Sequence, residues 1–310
     1  MSLADWQIRR ARVLAAMQEV MGPLPGSEKR CAVDMRVEQE TDGDAHVRKL
    51  ISYASEPGAR TPAYLLIPKE VAQGAGRRPA VLCLHPTHDL GHKLVVGLGG
   101  NTSASYASEL ADRGFVTLAP AYPLLANYHP DLGALGYHSG TMKAIWDNIR
   151  GLDLLESLTW VRPHAFGVIG HSLGGHNGIY TAVFEPRIRA IVSSCGFDSY
   201  RDYMDGDITG WTSPRYMPRL GNYAPSDIPF DFHDLIAALA PRPCFVSAPL
   251  HDTNFKHESV DAIADAAAPV YALHDASANL TVRHPDCGHV FAADMRELAY
   301  ELFDRELNGR

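Results

Sequence analysis

The sequence has few cysteines, and their spacing forms no recognisable motif. Its five cysteines are Cys31, Cys83, Cys195, Cys244 and Cys287, with no C-x-x-C among them. The count is odd and no spacing repeats, which argues against a disulfide framework. Cys83 and Cys244 fall inside apolar runs, so we expect them to be buried, reduced thiols. This usage predicts a reducing compartment.

Long apolar runs are also missing. No stretch of the 310 residues approaches the length of a transmembrane helix, which argues against membrane insertion. The N-terminal stretch has no continuous apolar core of the kind that a secretory signal needs, because Arg9, Arg10 and Arg12 interrupt it. Its pattern predicts an amphipathic helix over residues 4–21 instead. We therefore expect a cytoplasmic protein.

Basic residues are outnumbered. The sequence has 28 lysines and arginines and 36 aspartates and glutamates, which gives a net charge of −8. This balance argues against nucleic acid and anionic membrane surfaces as partners. The remaining composition, 46% hydrophobic and 21% charged, is that of an ordinary globular protein.

Apolar runs alternate with helical patterns from residue 79 onward. The run at residues 79–84 is continuous, as expected of a parallel strand covered on both faces. Upstream, β-rich segments at residues 31–38, 46–53 and 60–67 predict an antiparallel edge. The fold class predicted is α/β, with a mostly parallel twisted sheet and helices on both faces. The later predicted strands are residues 115–119, the segment starting at 165, 188–194, 243–248 and 280–283; the predicted helices are 103–113, 141–158, 173–184, 232–239, 260–267 and 290–307.

One long segment departs from this alternation. Residues 196–231 show no clear periodicity, and they concentrate aromatic side chains. A segment of this length within a compact domain is usually a lid or binding loop. We predict one domain over residues 1–310, with an N-terminal helical extension at 1–30 and a lid-like insert at 196–231. The aromatic residues of the insert are Tyr200, Tyr203, Trp211, Tyr216 and Tyr223.

The segment at residues 165–175 carries the strongest motif. It reads as a buried strand, a sharp turn and a helix, with Gly170-x-Ser172-x-Gly174 at the turn. Glycine two positions before and after the serine removes the Cβ atoms that would clash there. This pattern predicts that Ser172 is a nucleophile held above the sheet at the start of a helix.

A serine hydroxyl needs a base, and the base needs a carboxylate to orient it. Residues that meet above a parallel sheet come from the C-terminal ends of its strands. Asp252 and His289 follow two strands downstream of Ser172, in the order that the Ser-Asp/Glu-His hydrolases use. His284 remains an alternative base and Asp286 an alternative acid.

The predicted oxyanion hole needs two backbone N–H donors. Leu173 follows the nucleophile and supplies one. The loop after residues 79–84 supplies the other, and Thr87 is the expected donor because Pro86 has no N–H. We further predict that Trp211, Tyr203 and His171 contact the substrate.

Three histidines of the same loop allow a different chemistry. His85, His88 and His92 have an H-x2-H-x3-H spacing that is able to bind zinc. A metal-dependent hydrolase is therefore an alternative, although our prediction includes no metal and no cofactor.

Together these motifs resemble the serine α/β-hydrolases. The resemblance covers the chain from about Pro57 onward and rests on residues 170–175, Asp252 and residues 288–291. Residues 143–153 resemble those of acetyl xylan esterase-like and dienelactone hydrolase-like proteins. The resemblance implies an α/β-hydrolase fold and a cofactor-free esterase acting on acylated sugars or small esters.

Two positions differ from neighbouring branches of that family. Dienelactone hydrolases proper use a cysteine nucleophile, where this chain has Ser172. Glucuronoyl esterases carry an arginine next to the nucleophile, where this chain has Leu173, which argues against a uronic ester. An amidase or exopeptidase on the same triad remains an alternative, as does a non-catalytic binding protein of the same fold. The sequence does not indicate an oligomeric state.

Overall fold

A nine-stranded sheet forms the centre of the computed structural model, which describes residues 1–100 and 102–308. The strands are β1 (Arg36–Asp42), β2 (His46–Glu56), β3 (Ala59–Pro68), β4 (Arg78–Leu84), β5 (Val116–Pro120), β6 (Val161–His171), β7 (Ile188–Ser194), β8 (Cys244–Ser247) and β9 (Leu280–Arg283). The helices are α1 (Leu3–Met21), α2 (Lys69–Ala72), α3 (Tyr106–Asp112), α4 (Gly140–Ser157), α5 (Leu173–Phe184), α6 (Phe232–Leu239), α7 (His257–Leu273) and α8 (Ala293–Phe303).

The strand order is β1-β2-β3-β5-β4-β6-β7-β8-β9. The pairs β1–β2, β2–β3 and β3–β5 are antiparallel, and the remaining pairs are parallel. The predicted fold class, a mostly parallel sheet with an antiparallel N-terminal edge, is therefore confirmed. None of the helices within the described ranges is both long and apolar enough for a membrane span.

Strand β4 shows how both faces of the sheet are covered. Its alternate residues Ala80 and Leu82 belong to one hydrophobic cluster, which includes side chains of α1, α4, α5, α6 and α7. Val81 and Cys83 belong to a second cluster with α3 and α8. This is the geometry expected for a continuous apolar run between two layers of helices.

Several predicted boundaries were wrong. The strand predicted at residues 31–38 begins only at Arg36, because Asp34 has a φ of 37° and turns the chain out of extended geometry. The predicted helix at 290–307 begins as α8 at Ala293, because the preceding residues form the loop that holds His289. The predicted helix at 260–267 extends over His257–Leu273, because polar residues form its first turn and its last turns continue through Pro269, with Val270 and Tyr271 buried.

The insert at residues 196–231 contains more local structure than its sequence indicated. Four short 3₁₀ helices occur in it, at Tyr203–Gly206, Ile208–Trp211, Pro218–Asn222 and Pro225–Asp227. The insert is tied to α1 by Arg219, which donates to the Glu19 carbonyl at 2.8 Å, and by Tyr223, whose hydroxyl donates to the Glu19 carboxylate at 3.1 Å.

Candidate active site

Ser172 occupies a strained turn between β6 and α5. Its backbone angles are φ 54° and ψ −123°, a region that non-glycine residues rarely adopt. A Cβ on Gly170 would lie 2.1 Å from the carbonyl carbon of Gly174, and one on Gly174 would lie 1.9 Å from the Leu84 oxygen. Both glycines are therefore required for the close approach of strand and helix that holds Ser172 in this conformation.

Asp252 and His289 are joined by a direct hydrogen bond. Nδ1 of His289 lies 3.0 Å from Oδ1 and 2.9 Å from Oδ2 of Asp252. Burial by itself raises the pKa of Asp252, but the bond from His289 and the N–H groups of Asn254 and Phe255 outweigh it and hold that pKa below its ordinary value. The carboxylate is thus ionised and fixes the proton of His289 on Nδ1, which leaves Nε2 as an acceptor.

The alternative base and acid are engaged elsewhere. Nδ1 of His284 lies 2.7 Å from the Ala248 carbonyl oxygen, and its Nε2 lies 3.0 Å from a carboxylate oxygen of Asp261. Asp286 pairs with His251 at 2.8 Å, and its side chain is 83% exposed. This geometry favours His289 as the base and Asp252 as the acid. Both residues lie at the end of the sheet where β6 ends and Ser172 begins the turn into α5.

A cavity of about 200 Å³ opens beside Ser172. It brings together the predicted nucleophile, both predicted oxyanion donors and two of the three predicted substrate contacts. Four residues that the sequence analysis did not assign to the site also line it, namely Gly210, Tyr216, Asn254 and Phe255. The complete lining is Thr87, Ser172, Leu173, Tyr203, Gly210, Trp211, Tyr216, Asn254 and Phe255.

The unassigned lining residues had only weak signals in the sequence. Asn254 and Phe255 lie two and three residues after Asp252, so their proximity to the site was accessible from the position of that acid. Tyr216 is one of several tyrosines in the insert, and only the fold shows that its hydroxyl lies 3.0 Å from Oγ1 of Thr87.

Leu173 and Thr87, the predicted oxyanion-hole donors, both line the cavity beside Ser172. Leu173 is the first residue of α5, so its N–H has no partner within the helix. Thr87 follows Pro86 in the loop after β4 and lines the same cavity as Ser172. The positive end of α5 adds to the favourable potential for a developing negative oxygen at this position.

His171 lies behind the site and is not part of the cavity lining. Its ring centroid is 4.9 Å from that of His289, and its ring stacks on Phe291. Nδ1 of His171 lies 3.2 Å from the Ser194 hydroxyl. Burial lowers its pKa to about 3, so it stays neutral and packs against His289 without adding charge.

The loop histidines are absent from the group of side chains that, among the residues the structure describes, lie close enough together to hold a metal ion. Nδ1 of His85 lies 2.8 Å from the Pro86 oxygen, and its Nε2 accepts from the Tyr122 N–H at 3.0 Å. His88 accepts from the N–H of Leu90 at 3.1 Å. His92 is fully buried with its ring against Tyr64. The geometry therefore gives little support to a metal centre built from this loop.

A larger cavity of about 520 Å³ lies between the insert and helices α6 and α7. Its lining includes Ser199, Asp202, Phe230 and Asp234, and it contains none of the predicted catalytic residues. The predicted nucleophile therefore lies at the smaller of these two cavities.

The sequence has recognisable relatives. No protein-family model matches the chain. YtaP of Bacillus subtilis (strain 168), provisionally named a hydrolase, is 25% identical over 310 residues, which span 96% of this chain and 100% of YtaP. The 2,6-dihydropseudooxynicotine hydrolase of Paenarthrobacter nicotinovorans is 31% identical over 153 residues, which span 48% of this chain and 35% of that protein.

Solved structures match over almost the full length. The glucuronoyl esterase from Solibacter usitatus superposes with a TM-score of 0.79 at 19% identity, covering 99% of this chain and 94% of the esterase. At this level of identity the match describes the fold. The fold predicted from the sequence is thus confirmed: the protein has the α/β-hydrolase fold, which it shares with this esterase.

Proposed function

We propose that this protein is a serine hydrolase that cleaves carboxylic esters through an acyl-enzyme. One observation carries the proposal. Ser172 is held at a positive φ on the turn between β6 and α5 and faces a cavity at the end of the sheet where His289 and Asp252 are hydrogen-bonded. Strain of this kind is maintained only where the surrounding structure fixes it, and it is typical of a nucleophile elbow.

Each residue has a distinct role in the proposed reaction. Ser172 Oγ attacks the acyl carbon while Nε2 of His289 takes its proton, then returns it to the leaving alcohol. Asp252 holds the tautomer and stabilises the imidazolium that forms. The N–H groups of Leu173 and Thr87 bind the oxyanion. Water then attacks the acyl-enzyme by the same path.

The cavity wall favours an uncharged substrate. Tyr203, Trp211, Tyr216 and Phe255 give it aromatic faces, and no lysine or arginine is among the described residues that line it. Sugar rings and aryl groups both pack on such faces. Leu173, buried beside the nucleophile, supplies no cation for a uronate carboxylate. We therefore propose an acylated sugar or a small neutral ester, although the solved structure with the TM-score of 0.79 is a glucuronoyl esterase.

The setting of the enzyme follows from the same features. We propose that it acts in the cytoplasm as one domain, with Trp211 and Tyr203 contacting the substrate and without nucleic acid or membrane partners. The odd cysteine count without a repeated spacing supports a reducing compartment.

The experiment that tests this proposal combines a substrate panel with active-site labelling. Purified protein is assayed on aryl acetates, acetylated sugars, a uronate methyl ester and an aryl anilide, and labelled with a fluorophosphonate. We expect ester cleavage and one adduct on Ser172, both lost in Ser172→Ala. Ser226→Ala, which changes an exposed serine of the insert, is the matched control. Labelling that persists in Ser172→Ala contradicts the mechanism, and faster cleavage of the anilide than of the esters favours the amidase alternative.

A further inference from the structure

A cysteine lies beside the Asp252–His289 pair. Cys195 directly follows β7, and its Sγ, a carboxylate oxygen of Asp252 and a ring nitrogen of His289 all lie within 4.8 Å of one another. Cys195 has a φ of 47° and its N–H donates to the Ser247 carbonyl at 2.9 Å, so the backbone fixes its position. This is the one group of three metal-ligating side chains at such spacing found within residues 1–100 and 102–308.

The Cys195 thiol is buried beside Asp252 and His289 and does not line the substrate cavity. Cys195 is 2% exposed and is absent from the lining of that cavity. Its Sγ lies 3.6 Å from the Ser194 hydroxyl and 3.7 Å from the Val290 carbonyl oxygen. Burial and the Asp252 carboxylate raise the pKa of Cys195, so it is a neutral thiol at physiological pH and not a second nucleophile.

We propose that Cys195, Asp252 and His289 form an inhibitory site for a thiophilic divalent cation such as Zn²⁺. A sulfur, a carboxylate oxygen and an imidazole nitrogen are ligands that Zn²⁺ accepts in tetrahedral sites, with solvent able to fill the fourth position. The inhibitory effect depends on the proposed function, because the ion would block the base of that reaction. The binding itself does not depend on it.

The site needs only a modest rearrangement. Zinc–ligand bonds of about 2.0–2.3 Å place the ligand atoms of a tetrahedral site roughly 3.5 Å apart, against a present maximum of 4.8 Å. The loop that carries His289 lies at the surface, where His289 is 29% and Val290 42% exposed. Cys287 in the same loop is half-buried, with its Sγ 3.9 Å from the Val290 oxygen.

Binding would inactivate the enzyme through the tautomer of His289. The ion replaces the thiol proton of Cys195, which goes to solvent, and takes the lone pair of Nδ1, so that the ring proton has to reside on Nε2. Nε2 then cannot accept the proton of Ser172. The ion also breaks the hydrogen bond between Nδ1 and Asp252 by binding both of its partners. One proton is released for each ion bound.

The test measures binding and inhibition separately. Metal-free protein is titrated with Zn²⁺ during aryl ester hydrolysis, and the Ser172→Ala protein is titrated with Co²⁺ while thiolate-to-cobalt absorption and proton release are recorded. We expect one ion per chain, a thiolate band, one proton released and inhibition reversed by a chelator. Cys195→Ala should need at least about tenfold more Zn²⁺ for half-inhibition. Removing a residue that only hydrogen-bonds to a metal ligand already lowers metal affinity by about tenfold or more, and removing the ligand itself should lower it further. If the alanine variant does not fold, Cys195→Ser replaces it in the same titration, with the same expected result.

Two results would overturn the proposal. One is equal inhibition of wild type and Cys195→Ala, and the other is cobalt binding without a thiolate band. Cys31→Ala is the matched control and should behave as wild type, because Cys31 is a half-buried free thiol outside this group. Failure of the proposed esterase function gives a different pattern, namely Co²⁺ binding by the Ser172→Ala protein in a chain that hydrolyses none of the esters.

Discussion

Nδ1 of His289 lies 2.9 Å from Oδ2 of Asp252, and the Asp252 side chain is only 1% exposed. The hydrogen bond therefore has little competition from water. We expect Asp252→Asn to lower kcat by about 10²- to 10⁴-fold, because an amide donor on this side favours the tautomer whose Nε2 carries the proton. Steady-state kinetics on an aryl acetate measure the effect.

Asp286→Asn is the matched control for this change. It makes the same substitution in the neighbouring loop, at a carboxylate that is 83% exposed and paired with His251. It should retain wild-type kcat. The reverse result, an active Asp252→Asn and an inactive Asp286→Asn, would transfer the acid to position 286.

Gly174 tests the packing of the nucleophile turn. A Cβ there would lie 1.9 Å from the Leu84 oxygen, a separation that requires backbone movement in β4 or α5. We expect Gly174→Ala to lower the free energy of unfolding by about 4 kcal/mol or more, or to prevent folding. Urea denaturation measures this change. Gly221→Ala, where the new Cβ would meet Thr212 at an ordinary 3.7 Å, should be nearly neutral. Equal stability of the two variants would contradict this account of the turn.

The sequence was most informative where the chain is locally constrained. The helix predicted at residues 173–184 and the strand predicted at 188–194 have the observed bounds, because the glycines around Ser172 and the apolar run after α5 leave few alternatives. The positions of Asp252 and His289 at the ends of β8 and β9 followed from a general property of parallel sheets.

Features that depend on long-range packing were not accessible in the same way. Residue spacing gave no indication that the Cys195 thiol reaches Asp252 and His289, which follow other strands. His171 was expected to contact substrate from its place beside Ser172, but the turn directs its ring toward His289 instead. The insert lacks a period because its short 3₁₀ helices pack through single side chains, as in the ring contacts of Tyr203 with Phe255 and of Trp211 with His176, and not through a repeating face.

Asp198 predicts a pH dependence of stability. Burial first, and then the charge of Asp202, raise the pKa of Asp198 from its ordinary 3.8 to about 7, against the opposing effect of the Lys256 N–H at 3.1 Å. Between these two values the folded protein binds a proton that the unfolded chain does not. Protonation of Asp198 therefore adds to the free energy of unfolding. This stabilisation is fully present below pH 3.8 and is lost as the pH rises toward 7.

The measurement compares wild type with Asp198→Asn at pH 5 and pH 8. The amide cannot ionise, so the variant does not lose this stabilisation as the pH rises. From pH 5 to pH 8 its free energy of unfolding, measured with urea, should increase by about 2–3 kcal/mol relative to that of wild type. Other titrating groups, including the buried histidines, cancel in this comparison. A stability difference between the two proteins that does not change with pH would show that Asp198 is ionised throughout.

Trp211 connects the cavity wall to the body of the protein. Its ring lines the cavity and stacks on His176, with centroids 4.4 Å apart and planes at 12°. It is 7% exposed. Because the residue is both a contact surface and part of the packed interior, Trp211→Ala should lower the free energy of unfolding by about 3 kcal/mol as well as change selectivity.

The two roles of Trp211 separate in the kinetics. If the ring packs against the substrate, kcat/KM for a bulky acyl sugar should fall more than kcat/KM for a small aryl acetate. The difference should correspond to about 1–3 kcal/mol of activation free energy. Tyr223→Ala is the control, since Tyr223 is an aromatic residue of the same insert that binds Glu19 and is absent from the cavity lining. It should slow both esters equally or not at all. An equal loss on both esters in Trp211→Ala would show that the ring serves the fold alone and that the insert does not select the substrate.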